Sequence, residues 1–442
     1  MNDPNGLVRF KGKYHAFYQH YPYKPLWGPM HWAHCVSDDL VIWEHLPIAL
    51  FPDKQYDYHE SEGGCFSGSA IVHGDRLFLF YTGCVKDSAQ FQCQCMAYSD
   101  DGIHFTKYEQ NPVIAFPPPD GSRDFRDPTV WKAGDYFYMA VGTQHGNTGR
   151  IVLYRSADIY HWEYAGVFYE CDPDETEMCE CPDISIFGDR ALLIFSSIGK
   201  RPEKTLYISG SIDYERGKFN AEKTGRPDWG SDFYAPQTFR DDKGRQLLIA
   251  WQNSWGNSIP TIDAGWCGQM TLPREIWLGD DMEMLQKPVD ELADYIVSES
   301  EIQLEASSEW QWLDGANGET LDISMTCSGD DGAVFELYLR CSEDKKQYTK
   351  ISIDTLSGTL TADKARSGCG PDGSTSAPLG VQEDYTVRVI LDNSTLEVFS
   401  ANGAVSMSCV IFPDSRSKGT AIKASKKANV KLNIKTLGGK NR

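Results

Sequence analysis

The sequence predicts an all-β protein, a five-bladed β-propeller followed by a C-terminal β-sandwich. Two interleaved series of short motifs recur at intervals of 53–64 residues over the first two thirds of the chain. Near Ser300 the motifs stop and short alternating strands replace them. Radial repetition of similar β units builds a propeller, whereas many short strands without such a repeat are typical of a sandwich.

The first series is a Ser-x-Asp turn that ends in an aromatic residue. It begins at Ser37, Ser99 and Ser156, with a looser copy from Ser211 to Phe219. The successive starts are 62, 57 and 55 residues apart. Each copy follows one strand-like apolar run and precedes another, so each is interpreted as a hairpin turn closed by an aromatic side chain.

The second series consists of five polar or turn-forming motifs, each at the start of a strand-like run. They are centred on Asp3, Ser67, Asp127, Glu180 and Tyr234, at spacings of 64, 60, 53 and 54 residues. Five such units predict five blades, although the interval exceeds the roughly 40–50 residues of common blade repeats. A series of ordinary β-sandwiches with coincidental spacing is the alternative, and the agreement of two series favours the propeller.

The chain is too long for one compact core, and its length predicts more than one domain. The predicted regions are residues 1–287 for the propeller, 288–299 for a linker and 300–442 for the sandwich. The linker is expected to include a short helix. In the last region, the runs Tyr385–Leu391 and Thr395–Phe399 alternate like strands and are separated by a turn signal at Asn393.

The charge and the cysteine content of the chain favour some classes of binding partner and cellular location over others. The formal net charge of −21 disfavours nucleic acid and anionic membranes, and it is compatible with a neutral, hydroxyl-rich substrate, although solubility alone also explains it. The thirteen cysteines form an odd set without framework spacing, which favours a reducing, cytoplasmic location. We interpret Cys93-x-Cys95 and Cys179-x-Cys181 as free thiols, because zinc sites more often use Cys-x-x-Cys turns.

If the five motifs are equivalent, Asp3, Asp127 and Glu180 converge on the propeller axis. Three carboxylates in one pocket repel each other, so a proton, a metal or a basic neighbour must compensate, and Arg126 with neighbouring donors is expected to keep Asp127 ionised. Paired carboxylates with separate roles are the groups that cleave glycosidic bonds. Nearby aromatic residues suit the apolar faces of sugar rings, although core packing is the usual reason for any one of them.

Six motifs resemble those of glycoside hydrolase family 32, the group of invertases, inulinases and sucrose-6-phosphate hydrolases. They occur in the family's order and cover nearly the whole chain. They are Asn2–Gly6, Phe66–Ala70, Phe125–Pro128, Glu180–Pro182, Asp232–Gln237 and Leu272–Glu275. The resemblance implies a five-bladed propeller with a C-terminal sandwich and a β-fructofuranosidase, a hydrolase that retains configuration and needs no metal or organic cofactor.

Carried over residue by residue, the resemblance implies that Asp3 is the nucleophile, Glu180 the general acid/base and Asp127 the residue that binds fructose hydroxyls. The expected separation of Asp3 and Glu180 is about 5–5.5 Å, as for retaining enzymes. The residues implied to line the fructose site are Asn2, Gln19, Trp27, Phe66, Ser67, Arg126 and Tyr234.

One departure concerns the start of the chain. In the family, a segment precedes the first motif, whereas Met1 is the first residue here. Without that segment, the strand that carries Asp3 is expected to be exposed and ring closure to be weaker. A missing segment could also have carried a secretion signal, which would move the expected location outside the cell.

Other functions stay open at this point. A fructosyltransferase would use the same site, and a non-catalytic carbohydrate-binding propeller would keep the fold. An arabinan-cleaving propeller is less favoured, because it explains neither the sandwich nor the first motif. The sequence leaves open the preferred substrate among sucrose, sucrose 6-phosphate, inulin and levan, and whether the chain forms homo-oligomers.

Overall fold

Five four-stranded sheets form the blades of the first part of the fold in a computed structural model, which describes residues 1–200, 204–253, 255–257, 259–329 and 332–439. Blade 1 contains β1 (Pro4–Phe10), β2 (Lys13–His20), β3 (His31–Ser37) and β4 (Glu44–Leu50). Blade 2 contains β5 (Gly63–His73), β6 (Arg76–Val85), β7 (Gln92–Ser99) and β8 (Thr106–Lys107). Blade 3 contains β9 (Phe125–Ala133), β10 (Tyr136–His145), β11 (Thr148–Ser156) and β12 (Glu163–Glu170). Blade 4 contains β13 (Met178–Phe187), β14 (Arg190–Ile198), β15 (Thr205–Asp213) and β16 (Lys218–Gly225). Blade 5 contains β17 (Tyr234–Arg240), β18 (Gln246–Trp251), β19 (Arg274–Leu278) and β20 (Met284–Pro288).

The innermost strands close the ring. Strand β1 contacts β5, β5 contacts β9, β9 contacts β13, β13 contacts β17, and β17 contacts β1. Side chains on these strands also accept backbone N–H groups of the next blade. These bonds join Ser69 Oγ to Val130 N (3.0 Å), Asp183 Oδ2 to Thr238 N (3.1 Å) and Gln237 Oε1 to Leu7 N (3.2 Å). The expectation of an exposed first strand is wrong, because Asp3 and residues 4–7 are buried.

The Ser-x-Asp repeats form the turns between the third and fourth strands of blades 1 to 3. In blade 3, Ser156 Oγ accepts the N–H groups of Asp158 (3.2 Å) and Ile159 (2.9 Å). Asp158 Oδ1 in turn accepts the N–H groups of Tyr160 (2.9 Å) and His161 (2.8 Å). The turns at Ser37 and Ser99 have the same arrangement. Two side chains therefore satisfy the backbone donors of a turn that has few ladder partners.

Replacing Ser156 with alanine should weaken blade 3. The N–H of buried Ile159 would lose its acceptor, which costs about 1–3 kcal/mol of unfolding free energy. The midpoint of chemical unfolding should fall relative to the wild type, whereas Asp135→Ala, at an exposed turn position of the same blade, should change it little. Equal midpoints for the two variants would mean that the Ser156 bonds do not stabilise the turn.

The remaining strands form two six-stranded sheets. They are β21 (Ile296–Ala306), β22 (Gln311–Trp312), β23 (Thr320–Ser328), β24 (Val334–Cys341), β25 (Tyr348–Asp354), β26 (Thr359–Arg366), β27 (Ser374–Pro378), β28 (Asp384–Asp392), β29 (Thr395–Ser400), β30 (Ser406–Val410), β31 (Gly419–Ala424) and β32 (Ala428–Leu437). One sheet has the order β21-β32-β23-β28-β29-β30, and the other has the order β22-β31-β24-β25-β26-β27. Their inward side chains, including Leu321, Phe335, Ile351 and Leu432, form one buried core. The predicted fold class, a five-bladed propeller and a C-terminal sandwich, is confirmed.

The chain divides into two compact units that interrupt each other in sequence. One contains residues 1–226, 234–251 and 265–284, and the other contains residues 227–233, 252–264 and 285–442. Two segments of the predicted propeller region thus group with the second unit, where Asp232 and Lys364 form a buried ion pair of 2.6 Å. Two short 3-10 helices, Pro260–Ala264 and Asp290–Tyr295, also lie in the second unit. The domain boundaries were predicted from the positions of the repeated motifs. These positions do not reveal contacts between residues that are distant in sequence.

An axial cavity of about 350 Å³ lies between the inner strands. Its lining includes Ser69, Thr129, Asp183 and Gln237, which follow four of the five motifs along the strands. The predicted catalytic carboxylates do not line it. The candidate site is therefore at the beginning of these strands, where the motifs themselves lie. No helix in the described part of the chain is long and apolar enough to cross a membrane.

Candidate active site

A β-bulge at the start of each inner strand changes the direction in which the motif side chains point. In β9, β13 and β17, the bulged residue adopts a left-handed backbone conformation, with φ of 66° at Asp127, 47° at Cys181 and 48° at Ala235. A proline follows each of them, which suits a position without a regular ladder bond. Left-handed non-glycine residues cost on the order of 1–3 kcal/mol each and concentrate at functional sites.

The structural register corrects the alignment of the five motifs. Arg126, Glu180 and Tyr234 occupy the same position, each paired with its neighbouring strand immediately before the bulge. Arg126 and Glu180 are 54 residues apart in the sequence, as are Glu180 and Tyr234. The spacing count took Asp127 and Glu180 as equivalent, which is wrong by one residue, because the carboxylates were matched by their chemistry. The triplets that end in Pro128, Pro182 and Pro236 share one register.

Asp3 is held by neutral donors, of which Ser67 and Asn2 make the closest contacts. Ser67 Oγ donates to Asp3 Oδ2 at 2.6 Å, and Asn2 Nδ2 donates to Oδ1 at 3.1 Å. Burial raises the pKa of Asp3 above its ordinary value; the Ser67 hydrogen bond opposes this rise, and Glu180 adds to it. The two donors orient the carboxylate without neutralising it, which suits a nucleophile.

Glu180 lies in a separate hydrogen-bond network. Arg126 donates to Glu180 Oε1 from Nε (3.1 Å) and Nη2 (2.8 Å), and the Tyr234 hydroxyl donates to Oε2 at 2.5 Å. Arg126 is itself held by Asp124 Oδ1 (3.1 Å) and Gln92 Oε1 (3.4 Å). Both oxygens of Glu180 are therefore fixed by side chains from the two adjacent blades.

The Asp127 carboxylate is bonded by Cys181 and not by Arg126. The Arg126 guanidinium bonds to Glu180 and Asp124, and the hydrogen bonds to the Asp127 carboxylate come from the Cys181 backbone N–H (2.9 Å) and thiol. Burial raises the pKa of Asp127 to about 7, although the charge of Arg126 opposes the rise. Arg126 lowers the pKa of Asp127 through its charge and not through a hydrogen bond, because its guanidinium points to Glu180 and Asp124; that it keeps Asp127 ionised stays a prediction.

Cys181 links two of the three carboxylates, and sequence reasoning missed it. Its Sγ lies 3.6 Å from Asp3 Oδ2 and 3.5 Å from Asp127 Oδ2, and Glu180 precedes it in the chain. Burial and the nearby carboxylates raise the pKa of this thiol, so it stays a neutral S–H donor. The signal that could have found it is the x-x-Pro repeat, in which Cys181 occupies the position of Asp127.

The other predicted site residues surround this centre or its rim. The Gln19 backbone N–H donates to the Asp3 carbonyl (3.0 Å), and its side-chain amide donates to the Cys65 carbonyl (3.0 Å). The rings of Phe66 and Trp27 meet edge to face with centroids 6.1 Å apart. Trp27 is the most exposed of the predicted residues and therefore lies at the rim, whereas Gln19 is buried behind Asp3.

In the described structure all thirteen thiols are free, and Cys93, Cys95 and Cys179 are buried, whereas Cys181 is partly exposed. No group of His, Cys, Asp and Glu side chains within the described ranges has the arrangement of a metal site.

Replacing Asp127 with asparagine should change the pH dependence of stability. Between pH 4 and 7 the folded protein retains a proton on Asp127 that the unfolded chain has lost, because the folded pKa is about 7 and the ordinary value is 3.8. The stability from this group is full below pH 4 and is lost as the pH rises through 7. The melting temperature of the variant, relative to the wild type, should therefore rise between pH 5 and pH 8.

This comparison isolates Asp127. Buried Asp183, whose pKa is also raised to about 7 by burial, titrates in both proteins and cancels in the difference. Melting curves at matched ionic strength supply the measurement, and a difference that stays constant with pH would contradict the raised pKa of Asp127.

A five-bladed propeller whose inner strands begin with the buried Asp3 and Asp127 and the half-buried Glu180 fits the class of propeller glycoside hydrolases. Residues 1–288 match the model of the glycosyl hydrolases family 32 N-terminal domain, and residues 283–437 match that of the family 32 C terminal domain. The chain belongs to glycosyl hydrolase family 32.

Proteins similar to this chain come from several organisms. The chain is 36% identical to a sucrose-6-phosphate hydrolase of Escherichia coli, over 96% of this chain and 89% of that protein. It is 34% identical to the solved family 32 β-fructofuranosidase BmSUC1 of Bombyx mori, with a TM-score of 0.85 over 99% of this chain and 91% of that one. A sucrose-6-phosphate hydrolase structure from Lactobacillus gasseri has a TM-score of 0.89 at 26% identity, over 99% and 90% of the two chains.

Proposed function

We propose that the protein is a retaining β-fructofuranosidase that hydrolyses terminal non-reducing β-D-fructofuranosyl residues of sucrose and related fructosides. The observation that supports it most directly is the contrast between Asp3, held by neutral donors, and Glu180, held by Arg126 and Tyr234. Retaining hydrolysis needs one carboxylate that attacks and a second group that transfers protons.

In the first step, Asp3 attacks the anomeric carbon of the fructosyl unit. The bond to the glycosidic oxygen breaks, and Glu180 gives that oxygen its proton. The product is a fructosyl ester on Asp3. In the second step, Glu180 takes a proton from water, the water oxygen attacks the same carbon, and the ester bond breaks to free Asp3 and fructose. Two inversions at one carbon retain its configuration, and this proposal expects the carboxyl groups of Asp3 and Glu180 about 5–5.5 Å apart.

Asp127 is assigned to the fructose hydroxyls. Its buried carboxylate accepts the Cys181 N–H, which leaves acceptor capacity for a sugar hydroxyl, a bond that strengthens as charge develops on the ring. The proposed binding residues around the fructosyl unit are Asn2, Gln19, Trp27, Phe66, Ser67, Arg126 and Tyr234. This fructose site supports cleavage from the chain end, with the leaving group towards the rim at Trp27.

The test is a rate comparison of purified protein on sucrose, sucrose 6-phosphate, inulin and levan. Fructose should appear from at least one of them, and the ranking assigns the preferred substrate. Relatives that bear the names sucrose-6-phosphate hydrolase, raffinose invertase and levanase make all four substrates reasonable to compare. Binding of sucrose without release of fructose from any substrate would instead identify a carbohydrate-binding propeller.

A fructosyltransferase would use the same two steps with a sugar in place of water. Product analysis at high sucrose distinguishes the two, since transfer yields oligosaccharides and hydrolysis yields equal amounts of glucose and fructose. We propose a cytoplasmic location, which the thirteen free thiols support. Oligomeric state and domain boundaries stay predictions, which light scattering and limited proteolysis would test.

A further inference from the structure

Two thiols in the core between blades 3 and 4 lie close together. Cys171 directly follows β12, Cys179 is the second residue of β13, and their Sγ atoms are 3.1 Å apart. Because the sulfurs of a disulfide are about 2.0 Å apart, these two need to approach by only about 1 Å to form a covalent bond. The proposed hydrolysis makes no use of this pair, although Cys179 directly precedes Glu180 in the chain.

A second close pair of thiols provides a contrast. Cys93 and Cys95 have Sγ atoms 3.8 Å apart, but they are alternate residues of the single strand β7. Alternate residues of a strand have Cα atoms about 6.4–6.8 Å apart, which is the upper end of the range that disulfides span. A bond there would distort the pairing of β7 with β6, whereas Cys171 and Cys179 lie on separate segments that a loop connects.

The loop between the two cysteines already brings its ends together. Residues 172–177 connect β12 to β13, and the first three of them are exposed. Thr176 N donates to the Asp172 carbonyl at 3.0 Å, and Gly149 N donates to the Thr176 carbonyl at 2.8 Å. A bond between the cysteines would therefore close a segment that is already folded back on itself, and the exposed part of the loop can adjust to it.

The backbone at Cys179 is fixed more firmly than the loop. A Cβ at Gly142 in blade 3 would lie 2.1 Å from the Cys179 carbonyl oxygen, so only glycine permits this approach. Cys179 is also paired with Ser197 of β14. The movement that a bond requires therefore falls on Cys171 and the loop, and Glu180 keeps its position.

The surroundings of the two sulfurs give them different roles. Cys171 is 7% exposed and adjoins the exposed Asp172, whereas Cys179 is fully buried. Burial raises the pKa of the Cys179 thiol, and the hydrogen bond with Cys171 adds to this rise. Because the thiolate is the nucleophilic form of cysteine, Cys171 is the sulfur that attacks a small oxidant, and Cys179 is the one that then completes the bond.

We propose that Cys171 and Cys179 are a modification site at which hydrogen peroxide forms a reversible disulfide, and that this bond fastens the start of the strand that carries Glu180 to the end of β12. The Cys171 thiolate attacks one peroxide oxygen and becomes a sulfenic acid, while the O–O bond breaks and hydroxide leaves. Cys179 Sγ then attacks Cys171 Sγ, and the hydroxyl group leaves as water with the Cys179 proton. Two thiols and one peroxide thus give one disulfide and two waters, and a thiol reductant reverses the reaction by exchange.

The test treats the purified protein with hydrogen peroxide and maps its disulfides by mass spectrometry without reduction. A Glu-specific protease places Cys171, Cys179 and Cys181 on three peptides, because Glu175 separates the first two and Glu180 the last two. The expected product is a linked pair of the peptides that contain Cys171 and Cys179, and dithiothreitol should separate them. This measurement needs only the wild type, so it stands even if a cysteine variant fails to fold.

The melting temperature measures the fastening. Closing a short loop restricts the unfolded chain, so peroxide treatment should raise the melting temperature of the wild type by roughly 3–8 °C, and reduction should restore it. Cys171→Ser, treated in the same way, should show neither the linked pair nor the rise. Cys93→Ser is the control, because it removes one thiol of the other close pair and should behave like the wild type.

Three outcomes would overturn the inference. Sulfinic acid at Cys171 without a linked pair would mean that the two sulfurs do not meet. A link from either cysteine to Cys181 would assign the disulfide to a different pair. A linked pair with an unchanged or lower melting temperature would mean that the bond does not fasten the strand. None of these measurements depends on turnover, so they are independent of the proposed hydrolysis.

Discussion

Replacing Asp3 with asparagine should abolish hydrolysis while the fold is retained. An amide cannot form the covalent ester, so the rate of fructose release should fall by a factor on the order of 10⁴ or more. The remaining carbonyl oxygen can accept the Ser67 hydroxyl, which now bonds to Asp3 at 2.6 Å. Glucose release from sucrose, measured in a coupled assay, reports the loss.

The stability of this variant provides the first control. Burial raises the pKa of Asp3, so the charged form destabilises the fold at neutral pH, and the neutral amide should melt no lower than the wild type at pH 7. Ser67→Ala is the matched variant, because it removes a donor to Asp3 but keeps the nucleophile, and it should lose far less activity. Turnover by Asp3→Asn within tenfold of the wild type would exclude Asp3 as the nucleophile.

The spacing of the motifs was sufficient to predict the propeller, because the repeated residues form the hydrogen bonds of a repeated turn. Each Ser-x-Asp turn satisfies its own backbone donors, so the same residues recur wherever the same hairpin occurs. The sandwich was recognisable from the alternation of apolar and polar residues in β28 and β29. In β28 this alternation matches burial, whereas β29 is buried on both faces from Leu396 to Ser400. Local patterns of this kind are visible without tertiary information.

The directions of individual side chains were not predictable from spacing. Arg126 and Asp127 are neighbours in sequence, but consecutive strand residues point to opposite sides and the bulge turns them further, so Arg126 reaches Glu180 in the next blade. The contact of Cys181 with Asp3 and Asp127 likewise depends on the left-handed backbone conformation of Cys181, which the amino-acid composition does not reveal. The resemblance to glycoside hydrolase family 32 identified the site residues, and the structure identified their hydrogen-bond partners.

Replacing Glu180 with glutamine should slow hydrolysis in proportion to the need of the leaving group for a proton. The glucose unit of sucrose leaves as a sugar alkoxide unless the glycosidic oxygen is protonated, so the rate on sucrose should fall by a factor on the order of 10² to 10⁴, which is the usual contribution of general acid catalysis. Fructosides of acidic phenols depart as stable anions and should react with Asp3 at nearly the wild-type rate. Glutamine keeps the shape, and its oxygen can accept the bonds from Arg126, while its NH2 takes the place of the oxygen that accepts the Tyr234 hydroxyl.

The same substitution should also expose the covalent intermediate. With an activated fructoside, the first step proceeds but the second lacks its general base, so the fructosyl ester on Asp3 should accumulate and be visible as added mass on the peptide that contains Asp3. Tyr234→Phe is the matched variant, because it removes one hydrogen bond to Glu180 and leaves the proton donor in place, and it should show weaker dependence on the leaving group. The decisive comparison is the slope of log kcat/KM against the pKa of the leaving group for the wild type, Glu180→Gln and Asp3→Asn. If Glu180→Gln slows all fructosides equally while Asp3→Asn shows the leaving-group dependence, the roles of nucleophile and acid must be exchanged between the two carboxylates.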